Sequence, residues 1–177
     1  MELKELLKFV TTELEKKGIE YMLSGSVAMS TYTIPRMTRN IDIVLELKED
    51  QVEDFASIFE DRFYIYKEGI REEIHRRGMF NVIDNESGYK IDFIIRKNTE
   101  FNRTEFKRKI RGTTFGLNVW IVSIEDLILS KFRWMQDSES QVQKEDISHL
   151  LENKTIDYNY LQKWIKELDL NTFNLLG

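Results

Sequence analysis

The run Leu23–Leu47, LSGSVAMSTYTIPRMTRNIDIVLEL, decides how the rest of the chain is read. It opens with Leu23-Ser24-Gly25-Ser26, the end of an apolar stretch running into a glycine turn. The small residues Val27 to Thr31 suit a short helix. A polar loop follows and carries Pro35, the single proline of the chain. Asn40-Ile41-Asp42-Ile43-Val44-Leu45 then alternates as a strand does, with a carboxylate inside it. On such a strand Ile41, Ile43 and Leu45 share one face, and Asn40, Asp42, Val44 and Glu46 share the other. Strand, glycine turn, helix start and a second strand bearing an acid together suggest a phosphate and metal site.

Composition sets the frame around this stretch. At 177 residues, with 41% hydrophobic and 32% charged, the chain is expected to be globular with one well-filled core. No cysteine is present, which excludes disulfides and thiolate metal sites. Apolar runs are too short to span a bilayer, and the charged start MELKELLKF does not read as a signal peptide, so no membrane partner and a cytoplasmic location are expected. The net charge of −5 confines any nucleic-acid contact to a local patch.

Upstream, Leu3, Leu6, Leu7, Val10 and Leu14 repeat at helical spacing, with a stop near Lys17-Gly18. Ile19 to Leu23 reads as the strand entering the turn. Downstream, Val52, Phe55, Ala56 and Phe59 predict a helix from about Asp50 to Asp61, and Phe63 to Tyr66 a short strand. Met79–Ile83 and Tyr89–Ile95 flank the turn signal Asp84-Asn85-Glu86-Ser87-Gly88, predicting a hairpin. Residues 101–111 read as a basic helix with Arg103, Lys107, Arg108, Lys109 and Arg111. Val119 to Val122 is one more strand. Ser123 opens a helix to about Met135; another ends near Glu152, and Asp157 caps a last one bearing Leu161, Trp164, Ile165 and Leu168. The shift from strands to helices near Ser123 divides an expected core, 1–122, from a C-terminal helical part, 123–177, packed on it.

Arg36-Met37-Thr38-Arg39-Asn40-Ile41-Asp42-Ile43, in which thirteen residues separate Asn40 from Ser26, resembles the Arg-x-Thr-x-Asp-h-Asp-h motif (h, apolar) of polymerase-beta-like nucleotidyltransferases. It is similar to their small prokaryotic branch, which includes AbiEii-type toxins and minimal nucleotidyltransferases. The resemblance covers about residues 20 to 95 well, and the C-terminal helices loosely. It departs at Asn40, where the first Asp of the motif should stand. It implies an α/β fold, a nucleotidyltransferase-like mixed sheet flanked by helices.

The resemblance also implies a reaction: magnesium-dependent transfer of a nucleoside monophosphate from a nucleoside triphosphate to an acceptor hydroxyl on RNA, protein or a small molecule. Asp42 and Asp92 are the expected metal and catalytic acids, with Asn40 a weakened ligand. Asp92 interrupts the otherwise apolar run Ile91-Asp92-Phe93-Ile94-Ile95. Gly25 and Ser26 are expected to cradle phosphate, glycine by admitting a close approach and serine by its hydroxyl. Lys131 falls on the inner stripe of its helix with Ile124, Leu127, Ile128 and Met135, so it needs an anion: the nucleotide phosphates, or Asp146. Glu46 lies about 13 Å along the strand, too far to share an ion with Asn40 and Asp42, and is expected to face solvent. The basic 103–111 segment reads as a solvated face or as a contact for a transfer RNA. His75 and His149 lack the paired spacing of a zinc site. The alternative to an enzyme is a non-catalytic module of this fold, or a toxin–antitoxin component, binding nucleotide or a partner.

Overall fold

The structure is a computed structural model and describes residues 2–35 and 37–176. Arg36, the first residue of the quoted motif, lies outside them. Helix α1 (Leu3–Lys16) buries Leu6, Leu7, Val10 and Leu14 and ends at Gly18, whose φ of +64° suits glycine. Strand β1 (Glu20–Ser24) runs into the five-residue helix α2 (Gly25–Met29), which starts two residues earlier than its small residues predict. Strand β2 (Asn40–Glu46) follows the proline loop, and its Ile41, Ile43 and Leu45 are fully buried, as their alternation requires.

A 3-10 turn (Glu49–Gln51) and a short α3 (Val52–Ala56) replace the longer helix expected to Asp61. The chain turns after Ala56 so that both Phe55 and Phe59 can reach the sheet, where their rings meet Phe93 at 5.0 and 5.7 Å between centroids. Strand β3 is only Phe63–Tyr64, and α4 is Lys67–Arg76. The expected hairpin is β4 (Met79–Asp84) and β5 (Lys90–Ile95). Its turn is tied by the buried Asp84, which accepts hydrogen bonds from Arg62, Ser87 and the Glu86 amide. The Arg62 guanidinium holds the Asp84 carboxyl below the usual carboxylate range.

Helix α5 (Glu100–Lys107) is shorter than its basic run suggests. The rest of that run is an unpredicted strand, β6 (Ile110–Thr114), paired antiparallel with β7 (Leu117–Ile121). Phe115 and Gly116 join them with φ of 48° and 75°. In the second half of that run Arg108 pairs with Glu125 and Asp126, Lys109 with Glu20, and Arg111 with Glu15. Helices α6 (Ile124–Asp137), α7 (Gln141–Leu151) and α8 (Tyr158–Glu167) close the chain, and the Ser123, Ser140 and Asp157 side chains each accept an N-terminal amide hydrogen bond.

Among the described residues, seven strands form one mixed sheet in the order β3-β4-β5-β2-β1-β7-β6. β2 pairs in parallel with β5 and β1 in parallel with β7, and between them β1 and β2 lie side by side and antiparallel. Among the described residues, no helix is long and apolar enough to cross a membrane.

Candidate active site

The polar face of β2 is where strand register brings distant residues together. Ser24 on β1 is the Cα partner of Asp42, Asp42 of Asp92 on β5, and Asp92 of Asn81 on β4, so one row crosses four strands. Side chains in register on neighbouring strands share a face, so Asp42 and Asp92 stand next to each other, about 4.8 Å apart strand to strand. One row over, Asn40 is the partner of Lys90.

Asp42 is held against the turn that precedes α2. Gly25 has φ of +59°, and a Cβ built there would lie 2.0 Å from Asp42 Oδ2 and 2.8 Å from Asp42 Cγ. The glycine therefore makes room for the Asp42 carboxylate. Burial pushes the Asp42 carboxyl above its ordinary value, the charge of Asp92 adds to this, and Lys131 and Lys90 oppose it.

Asp92 is only 6% exposed. Its Oδ1 is buried and accepts no hydrogen bond within the described residues, although Lys90 Nζ lies 3.1 Å away, off the hydrogen-bonding direction.

Across from these acids stands α6. Ser24, Gly25, Ser26, Asp42 and Ile94 on one side, and Leu127, Ser130, Lys131, Trp134 and Gln143 on the other, line a cavity of about 240 Å³. Helical spacing sets Leu127, Ser130, Lys131 and Trp134 on one face of α6. Trp134 is 54% exposed at the rim. Lys131 is buried, and its ammonium donates to Asp146 Oδ2 at 2.8 Å and Gln143 Oε1 at 2.9 Å. The two expectations for Lys131 thus meet in one residue, which pairs with Asp146 and also lines the cavity.

Gly25, Ser26, Asp42 and Lys131 are brought together around one cavity, and Asp92 joins through its register with Asp42. Asn40 is exposed at the start of β2 and does not line the cavity. Glu46 does not stand free in solvent: Arg96 pairs with it. The sequence reading missed Lys90 and Trp134. Lys90 is two residues before Asp92 and so on its face, and Trp134 is three after Lys131; both are legible once the element type is fixed.

Among the described residues, no group of three His, Cys, Asp or Glu side chains is placed to hold a metal. The donor set is two hard carboxylates, one with a buried, unbonded oxygen. That set suits magnesium arriving with a triphosphate, since this ion is commonly held by one or two carboxylates plus substrate phosphates.

No family model matches the chain, and no curated protein matches it. Solved structures do. The antibiotic-resistance factor ANT(2'')-Ia superposes with a TM-score of 0.62 at 10% identity, over 93% of this chain and 90% of that one. Its complex with adenylyl-2''-tobramycin gives 0.60 at 10%, over 93% and 95%. The lincosamide antibiotic adenylyltransferase LnuA, lincomycin-bound, gives 0.53 at 14%, over 85% and 96%. The chain has the nucleotidyltransferase fold.

Proposed function

We propose that this protein is a magnesium-dependent nucleotidyltransferase that moves a nucleoside monophosphate from a nucleoside triphosphate to an acceptor hydroxyl. The observation that carries the reading is the register of Asp42 with Asp92 beside the cavity that Gly25, Ser26 and Lys131 line. Asp42 and Asp92 would hold magnesium, with the Asn40 amide oxygen as a weakened third ligand. Bound with the triphosphate, the ion supplies neutralisation of phosphate charge.

The chain's own residues do the rest. Ser26 and the Lys131 ammonium face the phosphates from opposite walls of the cavity. Trp134, at the rim, offers an indole face for a base to stack on. The acceptor oxygen bonds to the α-phosphorus as the bond to the β-phosphate oxygen breaks. Pyrophosphate leaves, and the hydroxyl proton passes to Asp92. The likeness to ANT(2'')-Ia and LnuA favours a hydroxylated small molecule over RNA or protein as acceptor.

A second reading is a non-catalytic nucleotide-binding module. One observation favours it: Asn40 is a neutral amide, and its neighbour in register is a lysine. One experiment separates the two. Wild type and Asp92→Asn are incubated with magnesium, triphosphates labelled at the α-phosphate, and a panel of hydroxylated small molecules. Label transfer with pyrophosphate release, lost in Asp92→Asn, is expected. Triphosphate binding without transfer to any acceptor would favour the module.

A further inference from the structure

Asn40, Lys90, Asp42 and Asp92 form a two-by-two array on one face of β2 and β5. The inner row is two carboxylates. The outer row is an amide and an ammonium, and that ammonium already lies 3.1 Å from Asp92 Oδ1. Lys90 is partly buried, its side chain 36% exposed, and the ion pair with Asp92 keeps its ammonium beside the inner row. Sites that hold two divalent ions set them about 3.5–4 Å apart between shared carboxylates. Here the inner row can serve one such ion. A second would meet a neutral amide and a fixed positive charge at the distance where it needs an acid.

Building on the function proposed above, we infer that Lys90 is the site's resident second cation: its ammonium faces the triphosphate where a second divalent ion would otherwise bind, and the chain takes one divalent ion per triphosphate. Lys131 serves from the opposite wall, so the phosphates are met by two lysines and a single metal ion.

Manganese with a non-hydrolysable triphosphate analogue tests this by electron paramagnetic resonance on the intact protein. Wild type is expected to give the spectrum of one isolated manganese ion. The double variant Asn40→Asp/Lys90→Gln is expected to take two ions and show spin exchange between them. By calorimetry, Lys90→Gln alone should weaken analogue binding about tenfold, and Lys90→Arg, which keeps the charge, should restore most of it. A lysine that only supports Asp92 structurally would change thermal stability in Lys90→Gln and leave analogue affinity unchanged. That result, or an exchange-coupled pair in wild type, would overturn the inference and leave the nucleotidyltransferase reading standing. Wild type that binds neither manganese nor analogue would overturn both.

Discussion

At the scale of single residues, what the site needs is space and charge in the right order. Gly25 supplies the space. Gly25→Ala puts a methyl where the Asp42 carboxylate lies and forces an L-residue into the left-handed region, which alone costs about 1–2 kcal/mol. The variant should melt earlier and lose triphosphate binding, as calorimetry and thermal denaturation would show; unchanged affinity would mean that the carboxylate position is not critical. Lys131 supplies charge. It and Asp146 have side chains 7% and 5% exposed, and removing one partner of a buried pair costs about 3–5 kcal/mol. Lys131→Met should therefore lower the urea midpoint sharply and weaken nucleotide binding, whereas Asp146→Asn should mainly lower the midpoint. Asp42 and Asp92 were legible in the sequence because each acid interrupts an apolar alternation. The face of Lys90 was legible too, but its pairing with Asn40 was not, because that partner is on another strand, fifty positions away in sequence.

Helices and strands add a layer that side-chain types alone do not encode. Helix α5 packs on α6 through Glu105, which is 4% exposed and accepts hydrogen bonds from Ser130 and Asn102. Burial raises the Glu105 carboxyl from 4.5 to about 7, Asp126 reinforcing this while Ser130, Asn102 and Arg133 oppose it. A carboxyl that holds its proton more tightly folded than unfolded makes stability fall as pH rises from about 4.5 to about 7, by up to about 3 kcal/mol. Glu105→Gln should remove that slope and be the more stable protein above pH 7; urea midpoints at pH 5.5 and 8 would check it, and parallel profiles would refute it. The element that sequence reading lost is β6. Its Arg111, with Lys109 just before the strand, looked like the continuing face of a basic helix. The turn that makes it a strand is Phe115-Gly116, with left-handed backbone at a phenylalanine, in place of the Asn-Gly that signals such turns.

Over the whole molecule the candidate site is a seam. One wall comes from the sheet and α2, the other from α6 and α7. A triphosphate bound in that seam would hold the walls together, and binding to the folded state alone stabilises by about 2.7 kcal/mol at a ligand concentration 100 times Kd. For a chain of this size that is a rise in Tm of about 5–10 °C. Magnesium with the analogue should produce it in wild type and not in Asp42→Asn, and indole fluorescence should fall on binding in wild type but not in Trp134→Phe. The sheet and its polar face were readable from alternation around Leu23–Leu47, since a strand's period survives without knowledge of its neighbours. The seam was not, because it depends on how α6 lies across the sheet, and packing between distant segments leaves no local period. The close fit of Gly25 and Asp42 also constrains how this chain can change over time. A larger residue at 25 is admissible only after the acid at 42 has gone, so substitutions at the two positions have a compulsory order. Lineages that keep the acid are bound to keep the glycine, and those that shed the acid lose the clash but still meet the left-handed backbone at 25.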